Sequence, residues 1–199
     1  MVTKVFMETL KPPQYTHLSH INFESQEDRD MIYRLGMEQW NNNEVLPETE
    51  KLGKQFIQQI ESAYMPQVSV RWINDKIEYS LFAEEDLAEG SYVGEYTGIV
   101  RRNDRRYFEP LNNYCYTYPV RDEIGRNFVI DATQGNLTRF INHSFTPNLQ
   151  PVHVFHEGFY HLIFLAIRKI QKGAQLSYNY GQSYWQLRET PERISEVSD

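Results

Sequence analysis

A chain of 199 residues, 40% hydrophobic and 24% charged, is long enough to bury one core and carry a small additional subdomain. Its net charge of −7 excludes a broad nucleic-acid-binding surface and suits a basic partner. The single cysteine, Cys115, excludes an internal disulfide and a multi-cysteine zinc cluster, and the longest apolar runs, such as residues 162–167, are too short to span a bilayer.

Met1 is not followed by the charged and then apolar pattern of a secretion signal. Residues 1–24, with Pro12 and Pro13, read as an irregular or loosely attached arm. Ser25 followed by Glu27 and Asp28 predicts a helix start, since a hydroxyl accepts from free N–H groups and acids suit the positive end of the helix dipole. Met31, Ile32 and Leu35 form its short apolar face, and Asn41-Asn42-Asn43 ends it. A second helix is predicted over residues 48–64, where Leu52, Phe56, Ile57, Ile60 and Tyr64 recur at helical spacing before Pro66. This stripe reads as a docking face for the sheets that follow, with a surface for partner recognition as the alternative.

Beyond Pro66 the period shortens. Val68, Val70 and Trp72 alternate with polar residues, the mark of a half-buried strand. Further strands are predicted over residues 79–83, 92–100, 114–120 and 128–131, with Gly90, Asn103-Asp104 and Gly125 between them. Residues 150–155 and 160–167 read as a hairpin around Glu157-Gly158, a last short strand follows Gly173, and residues 184–188 read as helical. The chain thus divides into a helical N-terminal region (1–66), a β-rich domain (67–186) and a tail (187–199). Many short strands with few helices predict an α+β, β-rich fold of several small sheets. The 14 tyrosines and 11 phenylalanines suit half-buried strands, and they also suit a narrow, polar-walled channel.

Two segments carry the chemistry. Residues 135–148 read Gly135-Asn136-Leu137-Thr138-Arg139-Phe140-Ile141-Asn142-His143-Ser144-Phe145-Thr146-Pro147-Asn148, and residues 176–181 read Leu176-Ser177-Tyr178-Asn179-Tyr180-Gly181. Together they resemble the two signature segments of the SET domain, the fold of most protein lysine methyltransferases. The resemblance extends over residues 68–186. Residues 80–90, Gly94-Glu95-Tyr96-Thr97-Gly98 and Phe128-Val129-Ile130-Asp131-Ala132 are similar to earlier family segments, and Pro151-Val152-His153-Val154-Phe155 resembles the histone-tail branch. The resemblance implies a SET fold with a C-terminal pseudoknot, in which the two signature stretches thread past each other. Without flanking cysteine-rich zinc segments, the chain resembles the compact bacterial SET proteins.

The activity so implied is methyl transfer from S-adenosylmethionine to a lysine ε-amine by in-line displacement, leaving S-adenosylhomocysteine and using no metal. The site must align sulfonium and amine, present a neutral amine although free lysine titrates near ~10.4, and exclude water. Aromatic walls grip the lysine stem and disfavour the ammonium by desolvation. By resemblance, Tyr180 is the active-site tyrosine, Tyr96 lines the lysine channel, and Tyr178 narrows the pocket towards monomethylation. Asn142 and His143 match the pair that meets the cofactor, and Tyr116 matches a cofactor-contacting aromatic. Arg139 faces the cofactor or braces the motif; Tyr184 and Trp185 cover the adenine or pin the last helix. The ordinary alternatives are core strand tyrosines, an Asn-His cap and, for the alternating Tyr114-Tyr116-Tyr118 face, a period-two core stripe.

The sequence departs from the family at Ile77-Glu78-Tyr79-Ser80, where relatives carry Gly-aromatic-Gly so that the backbone can lie against the cofactor. Tyr79 keeps the aromatic, while Glu78 either meets the cofactor's ammonium or crowds it. Phe145 stands where many relatives have a cysteine. His153, His156 and His161 lack the companion ligands of a metal site. The implied substrates are histones, with a non-histone or bacterial histone-like protein as one alternative and a degenerate module that binds a basic peptide without turnover as another. The corresponding location is cytoplasmic or nuclear, or that of a secreted bacterial effector acting in a host nucleus.

Overall fold

The structure, a computed structural model, describes residues 6–8, 14–103, 112–186 and 188. Ser25 caps α1 (Gln26–Asn41) as its chemistry predicts, its Oγ accepting from the Asp28 N–H at 3.0 Å. Pro47 opens α2 (Pro47–Glu61), which stops short of Tyr64 because Ser62 bonds the Gln58 carbonyl at 2.7 Å and Ala63 adopts a φ of 48°. The first strands are β1 (Phe6–Glu8), β2 (Asn22–Phe23), β3 (Val68–Trp72), β4 (Tyr79–Ala83), β5 (Tyr92–Glu95) and β6 (Ile99–Arg102). They are followed by β7 (Cys115–Arg121), β8 (Asn127–Asp131), β9 (Asn142–His143), β10 (Leu149–His156), β11 (Phe159–Ala166), β12 (Ser177–Tyr178) and the short helix α3 (Gln182–Trp185).

Among the described residues these strands form four small sheets, in orders β1-β3-β4, β2-β6-β8-β7, β10-β11-β5 and β9-β12. The fold is therefore α+β and β-rich, as the sequence predicts. Leu81, Val93, Phe128, Ile130, Leu162 and Phe164 are fully enclosed at the centre, and each such side chain contributes roughly 2 kcal/mol through burial. The hairpin forms where expected, with Glu157 and Gly158 at φ 44° and 88° joining antiparallel β10 and β11.

Three expectations are corrected by long-range contacts. The strand predicted over residues 92–100 is two strands, β5 and β6, parted near Gly98, where a side chain's Cβ would lie 2.4 Å from the Asp131 carbonyl oxygen. Strand β3 does not alternate cleanly. Ser69 is buried with its neighbours because β1 and β4 flank it, and its hydroxyl is used by Glu84 and Arg71. Residues 14–24 are not loosely attached. Leu18 N–H bonds the Gly135 carbonyl, Gly135 N–H bonds the Thr16 carbonyl, the Thr97 hydroxyl bonds the Leu18 carbonyl, and β2 runs parallel to β6.

The apolar stripe of α2 packs on the sheets: Phe56 and Ile60 join Tyr92, Val154, Ile163 and Leu165. Glycines let both helix backbones approach closely. A Cβ on Gly53 would fall 2.0 Å from the Phe155 carbonyl oxygen, and one on Gly36 would fall 2.1 Å from that of Gly158.

Candidate active site

The two sequence motifs lie side by side. β9 and β12 run parallel, with Asn142 opposite Ser177 and His143 opposite Tyr178. Asparagines stitch the surrounding segments together because one amide both donates and accepts. Asn148 donates to the Gln175 carbonyl at 2.8 Å and accepts from the Ser177 N–H at 2.9 Å. Asn136 donates to the Glu95 carbonyl at 2.8 Å and accepts from the Thr138 N–H at 3.0 Å, starting a 3-10 turn at Leu137–Phe140. Asn142 donates to the Tyr79 carbonyl at 2.9 Å, tying β4 to the motif.

On one side of this junction is a cavity of about 470 Å³ whose walls include Tyr96, Tyr116, Tyr178, Tyr180 and Tyr184. Ring centroids are 4.7 Å apart for Tyr178 and Tyr180, 4.6 Å for Tyr180 and Tyr184, and 6.1 Å for Tyr96 and Tyr116. The Tyr180 hydroxyl donates to the Ile141 carbonyl at 3.0 Å, and the Tyr96 hydroxyl donates to the Tyr114 carbonyl at 2.7 Å. Burial pushes the pKa of Tyr96, Tyr178 and Tyr180 above the ordinary phenol value, so all three stay protonated in neutral solution.

The described lining residues include two arginines, Arg101 and Arg188, and no carboxylate. Arg101 is buried and paired with Asp131 at 2.8 Å. Its Nη2 lies 3.4 Å from Cys115 Sγ, and burial pushes that thiol up to about 11, so Cys115 is a neutral wall residue rather than a nucleophile.

Outside the cavity lining, His143 accepts from the Tyr180 backbone N–H at Nδ1, 3.1 Å away, which leaves its proton on Nε2. Burial holds its pKa below the usual histidine value, so the ring is neutral at pH 7. Trp185 lies 4.9 Å from His143 and stacks on Tyr180, 6.1 Å away and inclined by 11°. His143 Nε2 and Trp185 Nε1 are both buried without a hydrogen-bond partner. Two neutral N–H donors on adjoining rings suit a ligand that offers acceptor atoms.

The remaining sequence-selected residues separate. Tyr116 is in the tyrosine cavity, its ring against Tyr96 and His153. Arg139 is a brace: its Nε donates to the Ala132 carbonyl at 2.8 Å, and its guanidinium lies against Tyr15, Tyr114 and Phe140. Glu78 is exposed at a φ of 62°, whereas Ser80 is fully buried and accepts from the Gln175 amide at 2.7 Å. Tyr79 packs between Trp72 and Phe140. The histidines of the hairpin serve different neighbours, His153 facing Tyr116 and His161 lying 2.6 Å from Glu95. Sequence reasoning missed Arg101, Asn112, Tyr114 and Arg188, whose partners are distant in the chain; only the Tyr114-Tyr116-Tyr118 alternation hinted at one of them.

Residues 78–181 match the family model described as SET domain, just over half of the chain. Histone-lysine N-methyltransferase EZH2 of Chaetomium thermophilum is 38% identical over an alignment of 117 residues that covers 53% of this chain and 8% of that protein. Histone-lysine N-methyltransferase EHMT1 of Homo sapiens is 34% identical over an alignment of 109 residues that covers 52% of this chain and 8% of that protein. The chain thus spans only a small part of the length of these curated relatives. The crystal structure of an active polycomb repressive complex 2 in the stimulated state superposes with a TM-score of 0.55 and 28% identity, over 65% of this chain and 17% of that chain. The matched stretch takes in both signature segments and four of the cavity tyrosines, Tyr96, Tyr116, Tyr178 and Tyr180, and the chain belongs to the SET domain family.

Proposed function

We propose that this protein methylates lysine side chains of a basic protein, histones foremost, using S-adenosylmethionine and adding one methyl group. The observation that carries this reading is the tyrosine-walled cavity, lined by two arginines and no carboxylate among its described residues. Such a wall accepts the long apolar stem of a lysine but offers its ammonium no counter-ion. Desolvation and the nearby guanidinium groups both favour the neutral amine, which is the nucleophilic form. S-adenosylmethionine, when bound, supplies a methyl group on a positively charged sulfur. Asn142, His143 and Trp185 would hold it, the two unpartnered N–H donors suiting a ring rich in acceptor nitrogens.

Because the Tyr180 hydroxyl donates to Ile141, its oxygen is free to accept an amine N–H and so orient the lone pair. Tyr178 lies between Tyr180 and Phe164, with centroids 4.7 and 5.0 Å away, and its extra hydroxyl limits the room for a second methyl. The histone preference is supported by the names of the relatives and by the net charge of −7.

The test is intact-mass spectrometry of mixed core histones incubated with the protein and S-adenosylmethionine, beside Tyr180→Phe and Tyr178→Phe. The wild type is expected to add a single methyl, Tyr180→Phe none while still binding the cofactor, and Tyr178→Phe more than one. Equal turnover by wild type and Tyr180→Phe would overturn the assignment. Cofactor binding by calorimetry without any histone product would move the substrate to another basic protein.

A further inference from the structure

Helix α3 spans only Gln182–Trp185, has no fully buried residue, with Tyr184 and Trp185 partly buried, and has no side-chain cap at its start. Four residues cannot hold a helix in place by their own hydrogen bonds, yet α3 carries Tyr184 and Trp185 onto the wall formed by Tyr180 and His143. Arg188 supplies an anchor. Its Nε donates to Asn113 Oδ1 at 2.9 Å, its Nη2 to the Asn112 carbonyl at 3.0 Å, and its Nη1 to the Tyr184 carbonyl at 3.0 Å. The guanidinium carbon also lies 3.9 Å from the centre of the Tyr184 ring. A planar fork can make three such bonds and stack at once, which a lysine ammonium cannot.

The contacts continue into the cavity. Asn112 accepts from the Tyr114 N–H at 2.8 Å and donates to Asp131 at 3.0 Å. The Tyr114 carbonyl receives the Tyr96 hydroxyl, and Asp131 holds Arg101 in the cavity wall. One guanidinium therefore joins α3, which brings Tyr184 to the cavity wall, to the segment that holds Tyr96 in that wall.

We infer that Arg188 is a positioning residue that straps α3 across the mouth of the tyrosine cavity and so sets the affinity for the lysine substrate and its cofactor. The kinetic part of this inference rests on the proposed methyl transfer; the strap itself does not.

The experiment compares full-length wild type, Arg188→Ala and Arg188→Lys by hydrogen exchange with mass spectrometry, and then by cofactor calorimetry and steady-state kinetics. In Arg188→Ala, amides of residues 112–116 and 182–186 are expected to exchange about tenfold faster together, while β8 and β11 stay unchanged. KM for a basic protein and Kd for S-adenosylmethionine are expected to rise about tenfold in both variants, while kcat falls further in Arg188→Ala, which also removes a positive charge that favours the neutral amine, than in Arg188→Lys. Arg188→Lys keeps the charge but loses the fork, and should resemble the alanine variant in exchange, KM and Kd. Unchanged exchange in either segment would overturn the strap. Faster exchange with unaltered KM and Kd would overturn the positioning role. A wild type that neither binds the cofactor nor turns over would sink the proposed function, while the exchange data would still decide whether the strap exists.

Discussion

Replacing Glu78 and Ser80 by glycine, one at a time, is expected to move stability in opposite directions, although both stand where the sequence departs from the Gly-aromatic-Gly pattern. Glu78 is held at a φ of 62° by a turn: its N–H donates to the Asn74 carbonyl and its carbonyl accepts from the Ile73 N–H, both at 2.7 Å. A side chain in this left-handed region costs roughly 1–2 kcal/mol. Glycine removes that cost but loses about 0.5–1 kcal/mol more backbone entropy on folding. The Glu78 side chain is exposed, so little contact is lost, and Glu78→Gly should stabilise by about 0.5–1 kcal/mol. Ser80 is an ordinary strand residue, fully buried, whose hydroxyl accepts from Gln175 at 2.7 Å. Ser80→Gly forfeits that bond, worth about 1 kcal/mol, and adds a flexible residue inside β4, for a loss of about 2 kcal/mol in total. For a chain of this size these values correspond to a Tm rise of about 1–4 °C and a fall of about 4–8 °C. Thermal melts followed by far-ultraviolet circular dichroism decide the matter. A Glu78→Gly protein that melts as low as Ser80→Gly would refute the claim that glycine is demanded at 78 and not at 80.

Burial holds His153 at a pKa of about 4 against the opposing hydrogen bond to the Thr117 backbone. Its contribution is therefore complete above about pH 6.5, where the unfolded ring is also neutral, and is lost as pH falls towards 4, roughly 3 kcal/mol in all. Urea midpoints at pH 7 and pH 4 should differ less in His153→Gln than in the wild type; an equal loss in both would show that another group is responsible. Turnover should rise with pH as the substrate lysine loses its proton, and should not fall between about pH 8 and 10, because burial keeps the phenols of Tyr96, Tyr178 and Tyr180 from ionising there. A decline of kcat/KM across that range, with the fold intact by circular dichroism, would place an ionising phenol in the reaction.

What could be read from the sequence was local. Ser25 announces α1 because a cap acts within three residues, and Tyr79–Ala83 forms a strand with the bounds its pattern gives. Strands of two residues, such as Asn22–Phe23 and Asn142–His143, carry no period to detect. The break near Gly98 depends on the Asp131 carbonyl, and the end of α2 depends on the left-handed turn at Ala63. The same division runs through the site. Tyr178 and Tyr180 lie two residues apart in one motif, and the fold brings Tyr96 to them. Tyr116 and Arg139 could not be placed without the fold, since a period-two stripe does not say which cavity it borders, and a guanidinium finds its rings through tertiary packing. The rim was invisible because Arg101 pairs across 30 residues and Arg188 across 76.

The charge pattern around the cavity follows from that same rim. Burial alone would favour a protonated Asp131, but hydrogen bonds from Thr133, Arg101 and Asn112 outweigh it and hold the carboxyl below its ordinary pKa. Asp131 thus stays ionised, and its charge is directed at Arg101 rather than into the cavity. In the proposed reaction an entering lysine would meet phenols, amides and guanidinium groups there, with no acid among the described lining residues to stabilise its proton. Over the whole sequence 27 acidic residues stand against 20 basic ones, a balance whose field would draw the basic protein of the proposed reaction towards the molecule. Long-range attraction for the cation and local rejection of the bound proton are compatible because they act at different distances. The first weakens with salt beyond about 10 Å. The second is set inside the cavity by Arg101, Asp131 and Asn112, and through Asn112 it is joined to Arg188.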